Sequence, residues 1–351
     1  MELQTYIQTN PDYLSQFKEH GMYVQKKKHL VLVKAKRNKE YDYDTNPWMQ
    51  YCRGSIIDTR TDRVICVAPR KAYQIPDVDE LQSMESEEIS VLVDGTMINA
   101  FFVDEEWMLS TRSMIGANNQ WDGKQSFRKL FEEVCPTWSQ NLDPQYCYSF
   151  VLVHRNNRNV SPINENGIFL AEQHRIGETI EKVPLSEIDG IHNVKLLDNE
   201  FLTNYKTPLY FSIKGFTVKQ KNKRYKWINP SFLYVQGLKM NHNDKLMNYI
   251  SLRQTGYLKE YLQYFPEESG IMNQYRDDFN TLKDELHTHY LRVNVYKTNT
   301  IKDVPYELKP LVKELHQMYH STGEPITRKV VSNYLHSMDG KRVLFIYRYR
   351  F

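Results

Sequence analysis

Cysteine is scarce in this chain, four residues in 351, and Cys52, Cys66, Cys135 and Cys147 show no Cys-x-x-Cys spacing. That excludes a disulfide scaffold and a cysteine-built zinc site. Cys52 and Cys66 flank one apolar hairpin, which leaves a disulfide as a minor alternative, but all four sit in apolar contexts and are read as reduced, buried thiols of an intracellular protein. The 11 histidines form no ligand cluster, and His287 and His289, two apart on a predicted helix, do not share a face. No structural zinc is expected. Charge of one sign is also lacking: 46 Lys and Arg oppose 43 Asp and Glu, a formal +3. Any hold on nucleic acid must therefore come from local patches and not from the whole field. No run approaches the roughly 18 apolar residues of a membrane span. Met1-Glu2-Leu3-Gln4 lacks the charged start and apolar core of a secretion signal. A cytoplasmic location without a membrane partner is expected, and no internal repeat or low-complexity segment is evident.

What is present is a chain with enough apolar residues, 40%, to bury a substantial core, one large domain plus a smaller one. Up to about residue 250, short strand-like runs alternate with turns: Val31–Val33, Ile56–Ile57, Val64–Val67, Ile98–Val103, Phe150–Val153 and Leu209–Ile213. A helix is predicted over Ser126–Val134. Beyond that point the apolar period becomes helical, with Met272, Tyr275, Phe279, Leu282, Leu286 and Tyr290 in one stripe and Leu308, Leu311, Val312, Leu315, Met318 and Tyr319 in a second. Ile326, Val330, Val331 and Tyr334 form a third. These stripes are read as packed core, and the aromatic end Val343–Phe351 is expected to pack on the domain or on a partner. The pattern predicts an α+β domain over 1–250 with mainly antiparallel sheets, then an all-helical domain over 251–351. The 25 tyrosines, with many Asn and Lys, suggest an AT-rich coding genome such as that of a large DNA virus or phage.

One loop carries the functional reading. Leu92-Val93-Asp94-Gly95-Thr96 lies between the apolar runs Ile89–Val93 and Met97–Val103, and by itself an Asp-Gly there is an ordinary hairpin turn. Its company is more specific. Tyr51-Cys52-Arg53-Gly54-Ser55-Ile56-Ile57-Asp58, a turn, Val64–Val67 and Pro69-Arg70-Lys71-Ala72-Tyr73 precede it. Trp107-Met108-Leu109-Ser110-Thr111-Arg112-Ser113 and Tyr148-Ser149-Phe150-Val151-Leu152-Val153 follow. Then come Lys214-Gly215-Phe216-Thr217-Val218, a basic hairpin, and Tyr225-Lys226-Trp227-Ile228-Asn229-Pro230-Ser231-Phe232-Leu233-Tyr234. Tyr257–Tyr264, running into Phe265-Pro266-Glu267, fits the start of a helical tail.

In order and spacing these segments resemble the ATP-dependent RNA ligases of the phage tRNA-repair type, members of the covalent nucleotidyltransferases. The resemblance covers most of the chain and implies a nucleotidyltransferase fold, with ATP-grasp-like antiparallel sheets and helices. In that family a Lys-x-Asp-Gly lysine attacks the α-phosphate. Here the matching position is Leu92. The family's two carboxylate positions match Val151 and Lys214, and its distal phosphate-contacting lysine matches Ile228. A divalent ion needs oxygen ligands, and Lys214 puts an ammonium in place of one.

Four departures imply a chain without ligase chemistry, a degenerate and non-enzymatic member serving as a nucleic-acid-binding or structural subunit, plausibly viral. No cofactor or metal is then expected, with protein partners and RNA or other nucleic acid as candidates. Arg53, Lys71, Asp94, Gly95, Arg112 and Lys226 remain as candidates for nucleotide or phosphate binding. Lys219, Lys221, Lys223 and Arg224, on a strand pair around Asn222, are candidates for nucleic-acid contact, interleaved with aromatics; the bland reading is a solvated turn. Lys26-Lys27-Lys28 reads as a solvated strand start, although Lys34, Lys36, Arg37 and Lys39 extend it into an electropositive edge. The alternative is an active ligase or nucleotidyltransferase, using ATP and magnesium, whose nucleophile has moved to Lys71 or Lys214.

Overall fold

The computed structural model describes residues 2–77, 79–80, 83–84, 86–121, 125–198, 200, 209–221, 223–240 and 244–351. The chain divides into two units, Met1–Tyr234 and Val235–Phe351. The expected boundary at about 250 falls earlier because helices begin at Pro230, which takes the first helical position of α4 below, where its missing N–H costs nothing.

The first unit holds three sheets. Strands β1 (Tyr23–Lys27), β2 (Leu30–Lys34), β3 (Arg53–Asp58) and β4 (Arg63–Cys66) pair antiparallel in that order. Helices α1 (Leu3–Thr9) and α2 (Tyr13–Glu19) contribute Leu3, Ile7 and Phe17 to the core that covers β2, which explains why Leu30–Val33 is an uninterrupted apolar run. Strands β5 (Ala72–Gln74) and β6 (Glu88–Val91) belong elsewhere. With β13 (Leu196–Leu197), β14 (Gly215–Gln220) and β15 (Lys223–Ile228) they form a five-stranded sheet ordered β13-β6-β14-β15-β5. Its β15–β5 pairing is parallel.

The third sheet runs β11-β10-β9-β7-β8, made of β7 (Thr96–Val103), β8 (Glu106–Thr111), β9 (Tyr146–Val153), β10 (Gly167–Ile176) and β11 (Ile180–Val183). A short β12 (His192–Asn193) joins β10 in parallel. One face packs on α3 (Phe127–Val134), whose cap Ser126 accepts from the Lys129 N–H, as its sequence predicts. Ile98, Phe131, Tyr148, Phe150 and Ile168 make that core. The other face is shared: Phe101 and Cys147 meet the first sheet, and Ser149 and Val151 lie further along, toward the second. All four cysteines are buried free thiols.

Leu209–Ile213 departs from its predicted strand. The carboxamide Nδ2 of Asn229 donates to the carbonyls of Leu209, Tyr210 and Ile213 at 3.4, 3.0 and 2.9 Å, so the segment's acceptors are taken by a side chain instead of a ladder. The Oδ1 of Asn229 also accepts from the Ser231 N–H, 3.1 Å, where β15 gives way to α4 (Pro230–Lys239).

The second unit is helical: α5 (Lys245–Thr255), α6 (Leu258–Tyr264), α7 (Ser269–Tyr290), α8 (Lys309–Thr322), α9 (Arg328–Ser337) and α10 (Gly340–Arg350). The 22-residue α7 has no side-chain cap, yet it buries Met272, Phe279, Leu282, Leu286 and Tyr290. At roughly 2 kcal/mol each, that burial outweighs the missing cap. Asp339 caps α10, so the aromatic chain end is a helix that buries Val343, Ile346 and Tyr347 and exposes Phe345, Tyr349 and Phe351. No described helix is long and apolar enough to cross a membrane.

Candidate functional site

The Asp94-Gly95 loop is not a hairpin turn. β6 before it pairs with β13 and β14 in the five-stranded sheet, and β7 after it pairs with β8 and β9 in the other. The loop carries the chain from sheet to sheet at the foot of the cleft between them. Leu92 is tied to one side by its N–H, which donates to the Gly215 carbonyl at 2.9 Å. Gly95 is pressed against the other: a Cβ there would lie 2.4 Å from the Leu152 carbonyl oxygen and 2.7 Å from a methyl of Val151, so glycine is the residue that fits.

Asp94 fixes this loop from within. One carboxylate oxygen accepts the backbone N–H groups of Val160 and Ser161 at 2.9 and 3.0 Å. The other faces the Lys214 ammonium at 3.2 Å and the Asn159 amide at 3.5 Å. The Asp94 side chain is 4% exposed. Lys214, which replaces a family carboxylate, is therefore neutralised by the loop's own aspartate.

Strand alternation sorts the hairpin residues. Trp227, Val218 and Phe216 point away from the cleft into a small core with Ile75 and Ile89, and Tyr225 packs against it. Ser90, Thr217, Arg224 and Lys226 occupy the opposite parity; the Ser90 and Thr217 hydroxyls bond at 2.7 Å, and Ile228 pairs with Gly215 on the same face. Arg224 and Lys226 thus lie on the face of β15 opposite Tyr225 and Trp227, while Lys223 at the strand's start shares the aromatic side, 5.6 Å from the Tyr73 ring centre. The four hairpin candidates separate as well: Lys221 and Lys223 are exposed, whereas Lys219 and Arg224 turn inward. Asn222 lies outside the described residues.

The other sheet answers with Glu172 and His174 on β10, residues the sequence reading passed over. A bulge between Leu170 and Glu172 aligns Glu172 with Ser149 and His174 with Cys147, on the face that meets the hairpin. Glu172 lies 3.6 Å from Lys219 and 3.5 Å from Arg224, and Glu88 pairs with Lys182 at 2.5 Å and Lys219 at 3.2 Å. Glu172, His174, Lys182, Lys219 and Arg224 line a cavity of about 360 Å³. Burial, opposed only in part by Glu172, lowers the His174 pKa, so its ring is neutral. A Glu-x-His inside an otherwise apolar strand, Gly167-Ile168-Phe169-Leu170-Ala171-Glu172-Gln173-His174, was the available signal.

The remaining phosphate-binding candidates converge near the other end. Gly54, at φ +101°, lets β3 approach so closely that a Cβ would lie 2.7 Å from the Arg112 Cα. Arg53 and Arg112 are brought side by side by that contact. Burial, then Arg112 and Arg224, lower the Arg53 pKa; burial and Arg37 do the same to Arg112. Lys71 is lowered by burial, Arg53 and Arg112. Lys226 is lowered by burial, then Lys71, Arg53, Lys214 and Arg224. Arg53 thus links Arg112 with Lys71 and Lys226.

Guanidinium groups do not deprotonate in proteins, so the Arg shifts measure unrelieved repulsion and lost hydration. Among the described residues, no carboxylate lies within ion-pair distance of Arg53, Lys71, Arg112 or Lys226. The Arg112 Nε is buried without a hydrogen-bond partner. The nearest opposing charge acting on Arg53 is Glu172 on β10, which offsets part of that repulsion.

No family model matches the sequence, and no curated protein matches it. Solved structures do. The chain is similar to a protein assigned as an ATP-dependent DNA ligase from Aquifex aeolicus, at 13% identity and a TM-score of 0.41 over 89% of this chain and 81% of that one. It is similar to an archaeal ATP-dependent RNA ligase at 12% identity and a TM-score of 0.42, over 76% and 70%. A Naegleria gruberi RNA ligase gives 10%, 0.34, and 48% and 57%. The likeness is one of fold, that of the ligase nucleotidyltransferases, as the sequence resemblance implies. The expectation of a non-enzyme is corrected here: the structures the chain is similar to are named as ligases, and no observation among the described residues shows lost activity.

Proposed function

We propose that the cleft of the first unit binds a nucleoside triphosphate through its phosphates, in an RNA-ligase-like protein whose other ligand is nucleic acid. One observation carries this reading: Arg53 and Arg112 lie side by side across Gly54, and Arg53, Lys71, Arg112 and Lys226 are partly buried with no carboxylate at ion-pair distance among the described residues. A polyphosphate offers several oxygens that accept charge-assisted hydrogen bonds from such donors. Asp94 and Gly95 serve as structure, holding the loop and neutralising Lys214.

Calorimetric titration with ATP, GTP and tripolyphosphate tests it. The wild-type chain is expected to bind, with Lys71→Met and Lys226→Met each weakening binding tenfold or more, since a hydrogen bond to a charged group contributes about 1.5–3 kcal/mol. Wild-type affinity in both variants would overturn the assignment.

A specific observation favours a second step in the same cleft. Lys71 has a lowered pKa and no carboxylate, whereas Lys214 is paired with Asp94, so of the two amines considered as relocated nucleophiles Lys71 is the one poised to lose its proton. Its Nζ would attack the α-phosphorus, forming a P–N bond as the α–β P–O bond breaks and pyrophosphate departs, with the amine proton passing to solvent. Denatured protein should then carry label from α-labelled ATP, and Lys71→Arg, which keeps the charge, should carry none. Absence of label in the wild type removes this step and leaves binding intact.

A further inference from the structure

The helical unit carries a histidine pair with a geometry of its own. His316 and His320 lie four residues apart on α8, so they share one face, and their Nε2 atoms stand 3.1 Å apart. The ring planes meet at 67°, with centres 4.4 Å apart, so the rings turn nitrogens and not faces toward each other. In the ion-free protein one Nε2–H donates to the other Nε2. His316 is held from behind by the buried Tyr290, 6.3 Å between ring centres, and Tyr319 lies parallel to it at 6.2 Å. His287, by contrast, has its Nε2 engaged with the Ile326 carbonyl at 3.0 Å.

A nitrogen separation of that size is what one metal ion imposes on two imidazoles. Metal–nitrogen bonds of about 2.0–2.1 Å drawn across the 3.1 Å gap subtend about 95–102°, between the right angle of square-planar coordination and the wider tetrahedral one. The rings need not move to accept the ion. Burial, then His320 and then Lys297, lower the His316 pKa, so this ring is neutral, the form that coordinates. Its Nδ1 is buried without a hydrogen-bond partner, so no acceptor fixes its tautomer. His320 occupies the last turn of α8, ahead of Gly323 at φ +70°, where the helix end favours positive charge. Lys297 opposes a second cation, so affinity must come from coordination and not from the local field.

We propose that His316 and His320 chelate one divalent transition-metal ion of the zinc, copper(II) or nickel class through their Nε2 atoms. Imidazole nitrogens suit those ions, whereas magnesium and calcium take oxygen ligands. Among the described residues no third His, Cys, Asp or Glu joins the pair, so the ion keeps its other positions for water or an incoming ligand. On binding, two metal–nitrogen bonds form and the N–H···N hydrogen bond breaks. The proton of the donor ring passes to its own Nδ1, and two waters leave the ion.

The test is calorimetric titration of the full chain with zinc, copper(II) and nickel chlorides, as wild type and as His316→Gln, His320→Gln and the double variant. The wild type is expected to bind at this site with copper(II) tightest. Either single variant should weaken that binding about tenfold or more, and the double variant little further, because losing one nitrogen already breaks the chelate. His320 is exposed, so His320→Gln should keep the fold, which circular dichroism checks. His320→Gln/Ser321→His keeps the number of histidines but turns the second ring off the shared face, and it should bind as weakly as His320→Gln. Paramagnetic resonance of the copper(II) form should show hyperfine coupling to two imidazole nitrogens. No binding by the wild type would overturn the proposal, as would wild-type affinity in His320→Gln, coupling to a single nitrogen, or displacement of zinc by millimolar magnesium. Full binding by the shifted variant would overturn it too, marking the metal as adventitious.

Discussion

Asp94 is the residue whose loss separates architecture from electrostatics. Both backbone N–H groups, from Val160 and Ser161, bond to the same carboxylate oxygen, while Lys214 and Asn159 address the other. Asp94→Asn can keep a carbonyl oxygen where the two N–H groups point and turn its amide toward Lys214. The N–H bonds survive as neutral ones, and the ion pair is replaced by two donors facing each other. Lys214 is 22% exposed, so its charge can rehydrate and the penalty stays near 1–2 kcal/mol. Asp94→Ala removes everything at once. It orphans two buried N–H donors that had a charged acceptor and leaves a void at the sheet-to-sheet crossing, for about 3–5 kcal/mol in all. The gap between the variants, roughly 2 kcal/mol, is the contribution of the backbone bonds. All five tryptophans, Trp48, Trp107, Trp121, Trp138 and Trp227, lie in the first unit, so urea unfolding followed by tryptophan fluorescence reports on that unit directly. If Asn costs as much as Ala, the loop is held by the Lys214 pair and not by the backbone bonds. If neither exceeds about 0.5 kcal/mol, the level of an ordinary surface change, Asp94 does not anchor the crossing.

Two further outcomes follow from the charge distribution. Lys226→Met, which removes one of several repelling cations, is expected to raise the stability of the ligand-free protein by about 0.5–1 kcal/mol while reducing the stabilisation conferred by saturating ATP by about 1.4 kcal/mol or more; a destabilised ligand-free variant would contradict the repulsion. The buried imidazoles of His154 and His174 are both held below their ordinary pKa chiefly by burial, and the unfolded chain takes up those protons at about pH 6.5. The unfolded state therefore binds more protons just below that pH, so stability is fully present above it and declines as the pH falls further. Urea midpoints measured between about pH 8 and 5 should show this decline, and a His154→Gln/His174→Gln double variant should flatten it.

Strand and helix content was legible because periodicity survives without context: Ser126 announces α3, and the 272–290 stripe is the buried face of α7. Strand partners were not. Asp94-Gly95 sits between two apolar runs at a spacing that suits a hairpin, and only the ladders show that one run pairs with β14 and the other with β9. Tertiary capture by one side chain, Asn229, likewise undoes the strand that Leu209–Ile213 suggests. Period-two alternation did encode the separation of Arg224 and Lys226 from Tyr225 and Trp227, but reading the residues as one mixed surface overlooks that neighbours on a strand point opposite ways. The convergence of Arg53, Lys71, Arg112 and Lys226, from four separate segments, followed from the family resemblance and from nothing local. Glu172 and His174 were missed because a bulge, invisible in the sequence, sets their side.

The two ends of the cleft are built on opposite electrostatic principles, and the contrast locates the ligand. Around β10 and the hairpin tip, Lys182, Lys219 and Arg224 are set against Glu88 and Glu172, an arrangement that satisfies itself and gains little from an added anion. Toward Arg53 and Arg112 no described carboxylate comes within ion-pair distance, and Glu172 reaches Arg53 only at longer range. A fold that placed two glutamates to balance three cations at one end had the same means of balancing four at the other. Leaving them unbalanced costs stability in the free protein, and the deficit is recovered when an anion binds the native state and not the unfolded chain. On the proposed reading the phosphates of the ligand belong at this uncompensated end, beside Arg53 and Arg112, and not against the paired charges around Glu172.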